Sequence, residues 1–334
     1  MNPATAAGPH FGSSETARRL RAAAVLASED FQPVLILGEA GSGKSTLARW
    51  IHEAGPRAGQ RFVKVPCSHR GVSQLENRIF GAAEGSWSSG GRPEPGWLET
   101  ARGGTVFLDE IGDLGLPVQN RLFRIFDSGE YQRCGDPTLR RAECRIIGGS
   151  RLDLEALAGL GLFDLAFLIR LHTHHVLRIP ALRDRREELP ALAEAVLEPL
   201  GRQRKGRLVL DRGAQEALRR HPWPGNLREF RSRLEQAAAA CPGGEIRAEH
   251  LALEETLPGV PEATCGPALS RWELERQSIR AALFEAEAPT GLPAARDPVP
   301  IPPPAALGSP APSALYARIK SFAFPDLNLR QRAG

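Results

Sequence analysis

The octapeptide at residues 38–45 reads Gly38-Glu39-Ala40-Gly41-Ser42-Gly43-Lys44-Ser45, and Thr46 follows it. Residues 33–37 form a short apolar run that predicts a buried strand, and residues 45–54 carry apolar side chains at helical spacing. A glycine loop between a strand and a helix is typical of phosphate binding in a parallel α/β fold. An ordinary glycine turn before a helix would not need Lys and Ser at its last two positions.

The residue types of this loop predict a site for ATP and Mg²⁺. Glycines let successive backbone N–H groups point at phosphate oxygens, and the positive end of the following helix adds to the attraction. We expect Lys44 to reach the β and γ phosphates and the Ser45 hydroxyl to coordinate Mg²⁺. The predicted cofactor-binding set is the whole run from Gly38 to Thr46.

A second signal is the apolar run at residues 105–108, which ends in Asp109 and Glu110. Because the carboxyl ends of parallel strands meet at one edge of a sheet, this acidic pair should lie beside the glycine loop. There Asp109 would hold the hydrated Mg²⁺ and Glu110 would polarise the attacking water. An acidic pair alone more often caps a helix, but a complete phosphate loop favours the catalytic interpretation.

Composition narrows the class of protein. The chain has 334 residues and a formal net charge of +4, which permits contact with nucleic acid without requiring it. Its five cysteines are scattered and odd in number, so they indicate neither a disulfide framework nor a zinc site. The cluster His172-Thr173-His174-His175 would need alternating strand positions to share a metal, and it has no acidic or thiol partner nearby. We expect a cytoplasmic protein with no membrane partner, because the sequence has no long apolar run and no signal-peptide pattern.

Four motifs in order resemble the central domain of the sigma-54 activators, the bacterial enhancer-binding proteins. They are G-E-A-G-S-G-K-S at 38–45, G-G-T-V-F-L-D-E-I-G-D at 103–113, L-R-I-P-A-L-R-D-R-R-E-E-L at 177–189 and H-P-W-P-G-N-L-R-E at 221–229. The resemblance covers about residues 31–253. It implies an AAA+ module that assembles into a ring, usually a hexamer, hydrolyses ATP between subunits and remodels sigma-54 RNA polymerase.

The resemblance also implies a domain organisation. We expect a short helical segment at 1–30 with no regulatory domain, an α/β nucleotide-binding domain at 31–182 with a parallel sheet, and a wholly helical lid at 183–256. A linker at 257–268 would lead to a C-terminal segment, 269–334. That segment is similar to a Fis-type helix-turn-helix whose middle helix is replaced by a proline-rich stretch, and its candidate DNA contacts are Ser313, Tyr316, Arg318 and Lys320.

Further site residues follow from the same resemblance. Arg228 would be the lid arginine that senses the γ-phosphate, although it could also be an ordinary surface arginine, and Arg170 would reach the nucleotide of a neighbouring subunit. The family's polymerase-contacting loop reads G-A-F-T-G-A. The aligned residues here are Gly85, Ser86, Trp87, Ser88, Ser89 and Gly90.

The sequence departs from the family at positions that control hydrolysis. Asp164 stands where a subunit-bridging arginine is expected, Arg151 where a sensor asparagine is expected, and Pro66 where an asparagine restrains the catalytic glutamate. The loop also loses its second glycine. Two hypotheses follow: a transcriptional regulator with slow or partner-dependent ATP hydrolysis, or a nucleotide-dependent binding module that occupies a ring position in a related activator.

Overall fold

The structure is a computed structural model that describes residues 14–68, 72–85, 93–204 and 206–253, with only the backbone given for residues 72 and 73. These residues all belong to one compact unit, Met1–Leu269. Several predictions lie outside the described residues: the loop residues Ser86, Trp87, Ser88, Ser89 and Gly90, the linker 257–268, and the DNA contacts Ser313, Tyr316, Arg318 and Lys320.

The described chain alternates strands and helices as the sequence predicts. The strands are β1 (Val34–Leu37), β2 (Phe62–Pro66), β3 (Thr105–Asp109), β4 (Glu130–Tyr131), β5 (Arg140–Arg141), β6 (Arg145–Ser150), β7 (His175–Arg178), β8 (Val209–Leu210) and β9 (Glu245–Ile246). The helices are α1 (Glu15–Glu29), α2 (Lys44–Ala54), α3 (Val72–Phe80), α4 (Trp97–Thr100), α5 (Leu116–Ser128), α6 (Leu154–Gly159), α7 (Leu165–His172), α8 (Leu189–Gln203), α9 (Arg212–Arg220), α10 (Asn226–Ala240) and α11 (Ala248–Leu251). Short 3-10 turns occupy Ile111–Asp113, Leu182–Asp184 and Arg186–Glu188.

Five strands form one parallel sheet in the order β2-β3-β6-β1-β7. Strand β1 lies between β6 and β7, and Val34 is opposite both Ile147 and His175. Helices cover both faces, which is why β1 and β3 are continuous apolar runs rather than alternating ones. The predicted α/β class is therefore confirmed, with the glycine loop and the acidic pair at the same edge of the sheet.

Alternate residues of the strands fill two separate cores, because successive side chains point to opposite faces. Val34 and Ile36 pack with Phe107 against α1 and α2. Leu35 and Leu108 pack against the helices on the other face, α3 to α7. The sheet is thus held from both sides, and the loops at its carboxyl edge start from fixed positions.

Strand β6 is longer than the apolar run at 144–147 predicts, since it continues through Gly148, Gly149 and Ser150. A Cβ on Gly148 would lie 3.0 Å from a methyl carbon of Ile111, and one on Gly149 would lie 2.9 Å from the ring of Phe107. The two glycines allow this close packing inside the sheet. They extend the strand where the sequence indicated its end.

Two further points concern the histidine cluster, which was not predicted to bind a metal, and the lid, where the expectation is corrected. His172 ends helix α7 and His175 begins β7, so the histidine cluster does not have the alternating strand geometry that a shared metal would need. The lid is also not wholly helical, because Val209–Leu210 and Glu245–Ile246 pair as a short parallel ladder. Apolar runs of two residues are too short for sequence periodicity to reveal.

The lid packs around Trp223, which is fully buried. Its indole Nε1 donates to Leu218 O at 2.9 Å, and its ring meets Phe230 edge-on at 5.0 Å between centroids. Helices α8 to α11 surround this pair. In the described part of the chain, no helix combines the length and the apolar character needed to cross a membrane.

Candidate nucleotide-binding site

The loop between β1 and α2 has the backbone conformation of a phosphate cradle. Gly41 and Gly43 adopt φ values of +74° and +109°, in the region that favours glycine. A Cβ on Gly41 would lie 2.3 Å from Gly225 O, so the lid backbone touches the loop directly. Helix α2 begins at Lys44 without a side-chain cap, which leaves its first N–H groups available to an anion. The buried Ser42 hydroxyl lacks a hydrogen-bond partner among the described residues.

Lys44 is buried within this cradle, with 5% of its side chain exposed. Its ammonium donates to Gly38 O at 2.9 Å and to Glu39 O at 3.1 Å. It also lies 3.0 Å from Glu110 Oε1, so the loop lysine and the predicted catalytic carboxylate form an ion pair. The structure therefore brings together Lys44 and Glu110 as the sequence predicts.

Glu110 is held in a left-handed backbone conformation with φ +64°. Such a conformation is uncommon outside glycine, and it aims the carboxylate back toward the loop. Its Oε2 accepts a hydrogen bond from the Arg151 backbone N at 2.8 Å, and the Arg151 guanidinium lies 3.8 Å away. Pro66 has no side-chain donor, but Arg151, the residue after β6, supplies a restraint on Glu110 instead.

Asp109 and Ser45 provide two hard oxygen ligands of the kind that Mg²⁺ prefers. Both contact a residue that the sequence interpretation missed. The Lys64 ammonium lies 2.8 Å from Asp109 Oδ2 and donates to Ser45 Oγ at 2.8 Å. Lys64 is the exposed residue of β2, and only the pairing of β2 with β3 could have shown that it reaches the acidic pair.

The lid clamps Glu39, the second residue of the loop. Arg183 donates to its two carboxylate oxygens at 2.9 and 2.6 Å, and Asn226 Nδ2 donates at 3.0 Å. The hydrogen bonds from Arg183 hold the pKa of Glu39 below its ordinary value, with Asn226 adding to this effect. Both partners lie inside the motifs at 177–189 and 221–229, but the sequence did not indicate that they face Glu39.

Asn226 joins three parts of the site. Its Nδ2 donates to Ala40 O at 3.1 Å, and its Oδ1 accepts from Leu182 N at 2.8 Å. Like Glu110, it has a positive φ, at +51°. Asparagine tolerates this conformation better than most residues, which explains its position at the start of α10.

A buried ion pair supports the loop from behind. Arg185 Nη2 donates to Ser42 O at 3.1 Å, and Arg185 lies 3.6 Å from Glu188. Ser14 donates to the other oxygen of Glu188 at 3.1 Å. Burial lowers the pKa of Arg185. The sequence predicted none of these contacts, because they depend on how the lid folds back.

The two predicted arginines differ in position. Arg228 is exposed and lines a shallow cavity of about 480 Å³ together with Ala40, beside the loop. Arg170 instead donates to Phe126 O at 3.1 and 2.9 Å, at the end of α5. Its contacts lie apart from Lys44 and the acidic pair. If Arg170 acts in hydrolysis, it would therefore act on the nucleotide of another subunit.

Asp164 has a structural role that the sequence interpretation did not consider. Its Oδ1 accepts from Phe167 N at 2.7 Å and caps the start of α7. Its backbone N donates to the buried Gln119 at 2.7 Å. The carboxylate therefore stabilises a helix terminus in this chain.

The described residues on either side of the predicted partner loop form a narrow neck. Ala82 and Glu94 exchange two backbone hydrogen bonds, at 3.0 and 3.1 Å. A Cβ on Gly81 would lie 2.8 Å from Gly96 N, and one on Gly96 would lie 2.4 Å from Gly81 N. Gly85, the first predicted loop residue, has φ +77°, and the next five lie outside the described residues.

The sheet order, the glycine loop and the acidic pair define a P-loop module of the AAA+ class with a lid. Residues 10–177 match the family described as the sigma-54 interaction domain, and residues 183–258 match the AAA+ ATPase lid domain. The chain belongs to the sigma-54 activator family.

Relatives and solved structures agree with this placement. The chain is 37% identical over 254 residues to the alginate biosynthesis transcriptional regulatory protein AlgB of Pseudomonas aeruginosa, covering 75% of this chain and 56% of that protein. It is 37% identical over 220 residues to the Nif-specific regulatory protein of Azotobacter vinelandii, covering 66% and 42%. The chain thus spans about half the length of these relatives.

The structure resembles NtrX from Brucella abortus, which was solved in complex with ADP and with ATP. For the ADP complex the TM-score is 0.67 at 28% identity, with 84% of this chain and 62% of that chain covered. For the ATP complex the TM-score is 0.65 at 27% identity, with 84% and 64% covered.

Proposed function

We propose that this chain binds ATP with Mg²⁺ and regulates sigma-54-dependent transcription. The observation that carries the proposal is the contact between Lys44 and Glu110 at 3.0 Å, inside a cradle whose helix N-terminus is uncapped. Phosphate oxygens attract Lys44 more strongly than one carboxylate does, because they carry more negative charge. Nucleotide binding therefore draws Lys44 away from Glu110 and leaves that carboxylate able to accept a proton from water.

The other groups have positioning roles in this proposal. Ser45 and Asp109 would hold Mg²⁺, and the bound ion would supply positive charge to the phosphates. Arg151 keeps Glu110 oriented through its backbone N–H. Asn226 and Arg183 connect the lid to the loop through hydrogen bonds to Glu39. Movement of the phosphate cradle therefore moves the lid. Arg228, on the lid, would contact the γ-phosphate.

Lys44→Ala tests the proposal. We expect loss of binding of a fluorescent ATP analogue, by at least about a hundredfold in dissociation constant, because a charge-assisted contact to the phosphates is removed. Arg49→Ala is the matched control, since Arg49 lies on the exposed face of the same helix. Equal affinity of Lys44→Ala and wild type would contradict nucleotide binding at this loop.

Family membership extends the proposal to partners. We infer that the chain forms a ring with itself or with a related activator, and that Arg170 faces the neighbouring nucleotide. The loop at 85–90, with Trp87 in place of the family's phenylalanine, is the candidate contact with sigma-54 RNA polymerase, and Ser313, Tyr316, Arg318 and Lys320 are the candidate contacts with DNA. A gel-shift experiment with sigma-54 and a transition-state nucleotide complex checks this, and we expect the chain alone to give no stable complex because the loop has lost a glycine.

A second candidate function is a nucleotide-dependent module with little catalysis. The carboxylate of Glu110 lies near two cations, Lys44 and Arg151, and Asp164 stands where a cationic finger is expected. Both features favour a module that binds nucleotide with little catalysis. The chain would then act by occupying a ring position, and adding it to a related activator should change the ATPase rate of that activator.

A further inference from the structure

Lys64 lies at the centre of the proposed metal position. It is on β2, and its ammonium is 2.8 Å from Asp109 Oδ2 and 2.8 Å from Ser45 Oγ. These are the two side-chain oxygens that the proposed function assigns to Mg²⁺. Nearly half of the Lys64 side chain is exposed, at 45%, so the ammonium can leave toward solvent without breaking a packed core.

Lys64 and Mg²⁺ require the same oxygen atoms. The Ser45 hydroxyl uses a lone pair to accept the hydrogen bond from Lys64, and coordination would use that oxygen at about 2.1 Å. A Mg²⁺ bound to both oxygens would lie no more than about 5 Å from the present position of Nζ. Two cations at that separation repel each other, and the repulsion corresponds to about tenfold in affinity even in a water-like dielectric.

We propose that Lys64 is an internal cation that competes with Mg²⁺ for Ser45 and Asp109. The inference rests on the proposed nucleotide site and deepens it. While Lys64 holds these oxygens, its positive charge lies beside the phosphate cradle and offsets part of the phosphate charge. Nucleotide binding therefore depends less on metal in this chain than it would in the same site without Lys64.

A purely structural ion pair would behave differently. Exposed ion pairs contribute little to stability. If the pair between Lys64 and Asp109 were only structural, removing Lys64 would change the unfolding midpoint slightly and leave the affinity for metal unchanged. If Lys64 competes with the metal ion, removing Lys64 instead lowers the metal concentration at which the site is half occupied. The contact with the Phe107 ring, with Nζ 6.0 Å from the centroid, is too long to hold Lys64 in place.

Lys64→Gln removes the charge and keeps most of the side-chain length. Binding of Mn²⁺ to the full chain, followed by electron paramagnetic resonance without nucleotide, should strengthen by about tenfold in this variant. Titration with a fluorescent ADP in EDTA should show the opposite change, a loss of about tenfold in affinity relative to wild type. Arg61→Gln is the control, because it removes one positive charge three residues earlier, at an exposed position.

The outcomes are separable. Equal Mn²⁺ affinity in wild type and Lys64→Gln overturns the competition, whatever nucleotide does. Tighter Mn²⁺ binding in Lys64→Gln together with no nucleotide binding in wild type supports the competition and contradicts the proposed function. The same change in Lys64→Gln and Arg61→Gln shows a general charge effect and also overturns the inference.

Discussion

At the scale of single residues, Glu110 has the most constrained position in the site. Its backbone is left-handed, and its carboxylate is shared between Lys44 and the backbone N–H of Arg151. A residue kept in an uncommon conformation by its surroundings often serves a function that requires it there. Here the constraint directs Oε1 toward Lys44 and Oε2 toward the backbone N–H of Arg151.

Glu110→Gln should reduce the steady-state ATPase rate by about a hundredfold or more, because the amide cannot accept a proton from water. Affinity for nucleotide should stay within a few-fold of wild type, since Lys44 and the loop are unchanged. Glu53→Gln on the exposed face of α2 serves as the control. A wild-type rate no higher than that of Glu110→Gln would support the module with little catalysis.

The sequence predicted the loop and the acidic pair because each residue type is required at a fixed spacing from a strand. It could not predict Lys64, which reaches Asp109 only because β2 and β3 pair with Pro66 opposite Asp109. Residues contributed by the lid, Arg183 and Asn226, were missed for the same reason. Long-range pairing leaves no periodic signal in the chain.

At the scale of elements, helix α7 shows a structural role for Asp164, a residue that the sequence alone linked only to hydrolysis. Asp164 caps this helix by accepting from Phe167 N at 2.7 Å. The sequence alone suggested only that a cation had been lost there. The start of a helix leaves N–H groups without partners, and an aspartate satisfies one of them.

Asp164→Ala should lower the free energy of unfolding by about 1 kcal/mol, the usual contribution of such a cap. Asp164→Asn should stay close to wild type, because its side-chain oxygen also accepts from the backbone N–H. Urea unfolding measures both. If Ala and Asn variants unfold at the same urea concentration as wild type, the cap does not stabilise α7.

Strand and helix boundaries were predicted best where burial is complete. The apolar runs before Gly38 and Asp109 match β1 and β3 within one residue. Strand β6 was placed too short, because Gly148 and Gly149 resemble a turn unless the packing of Ile111 and Phe107 is known. The weak pairing of β8 and β9 in the lid was missed entirely.

At the scale of the whole molecule, the lid and the sheet domain meet at Glu39. Its pKa lies below the ordinary value of 4.5 because Arg183 donates to its carboxylate. A carboxylate with a lowered pKa stabilises the folded state fully above its ordinary pKa. That stabilisation is lost as the pH falls below about 4.5 and through the lowered value.

Glu39→Gln should therefore melt at a lower temperature than wild type at pH 7, and the difference should shrink as the pH falls below about 4.5. Differential scanning fluorimetry across pH 3–7 measures this. Glu53→Gln, with its carboxylate on the exposed face of α2, should give a difference that does not follow this course. A constant difference for Glu39→Gln across the whole range would contradict the role of its charge.

The neck formed by Gly81, Ala82, Glu94 and Gly96 has a consequence for how this chain can diverge. The contacts that close it are made by backbone atoms, so they do not depend on the identity of the residues between them. Substitutions at residues 86–92 can therefore accumulate without disturbing the sheet and its two cores. Variation in that stretch of the sequence is then decoupled from the integrity of the P-loop fold, and the stretch can be inherited, exchanged or lost as a separate trait.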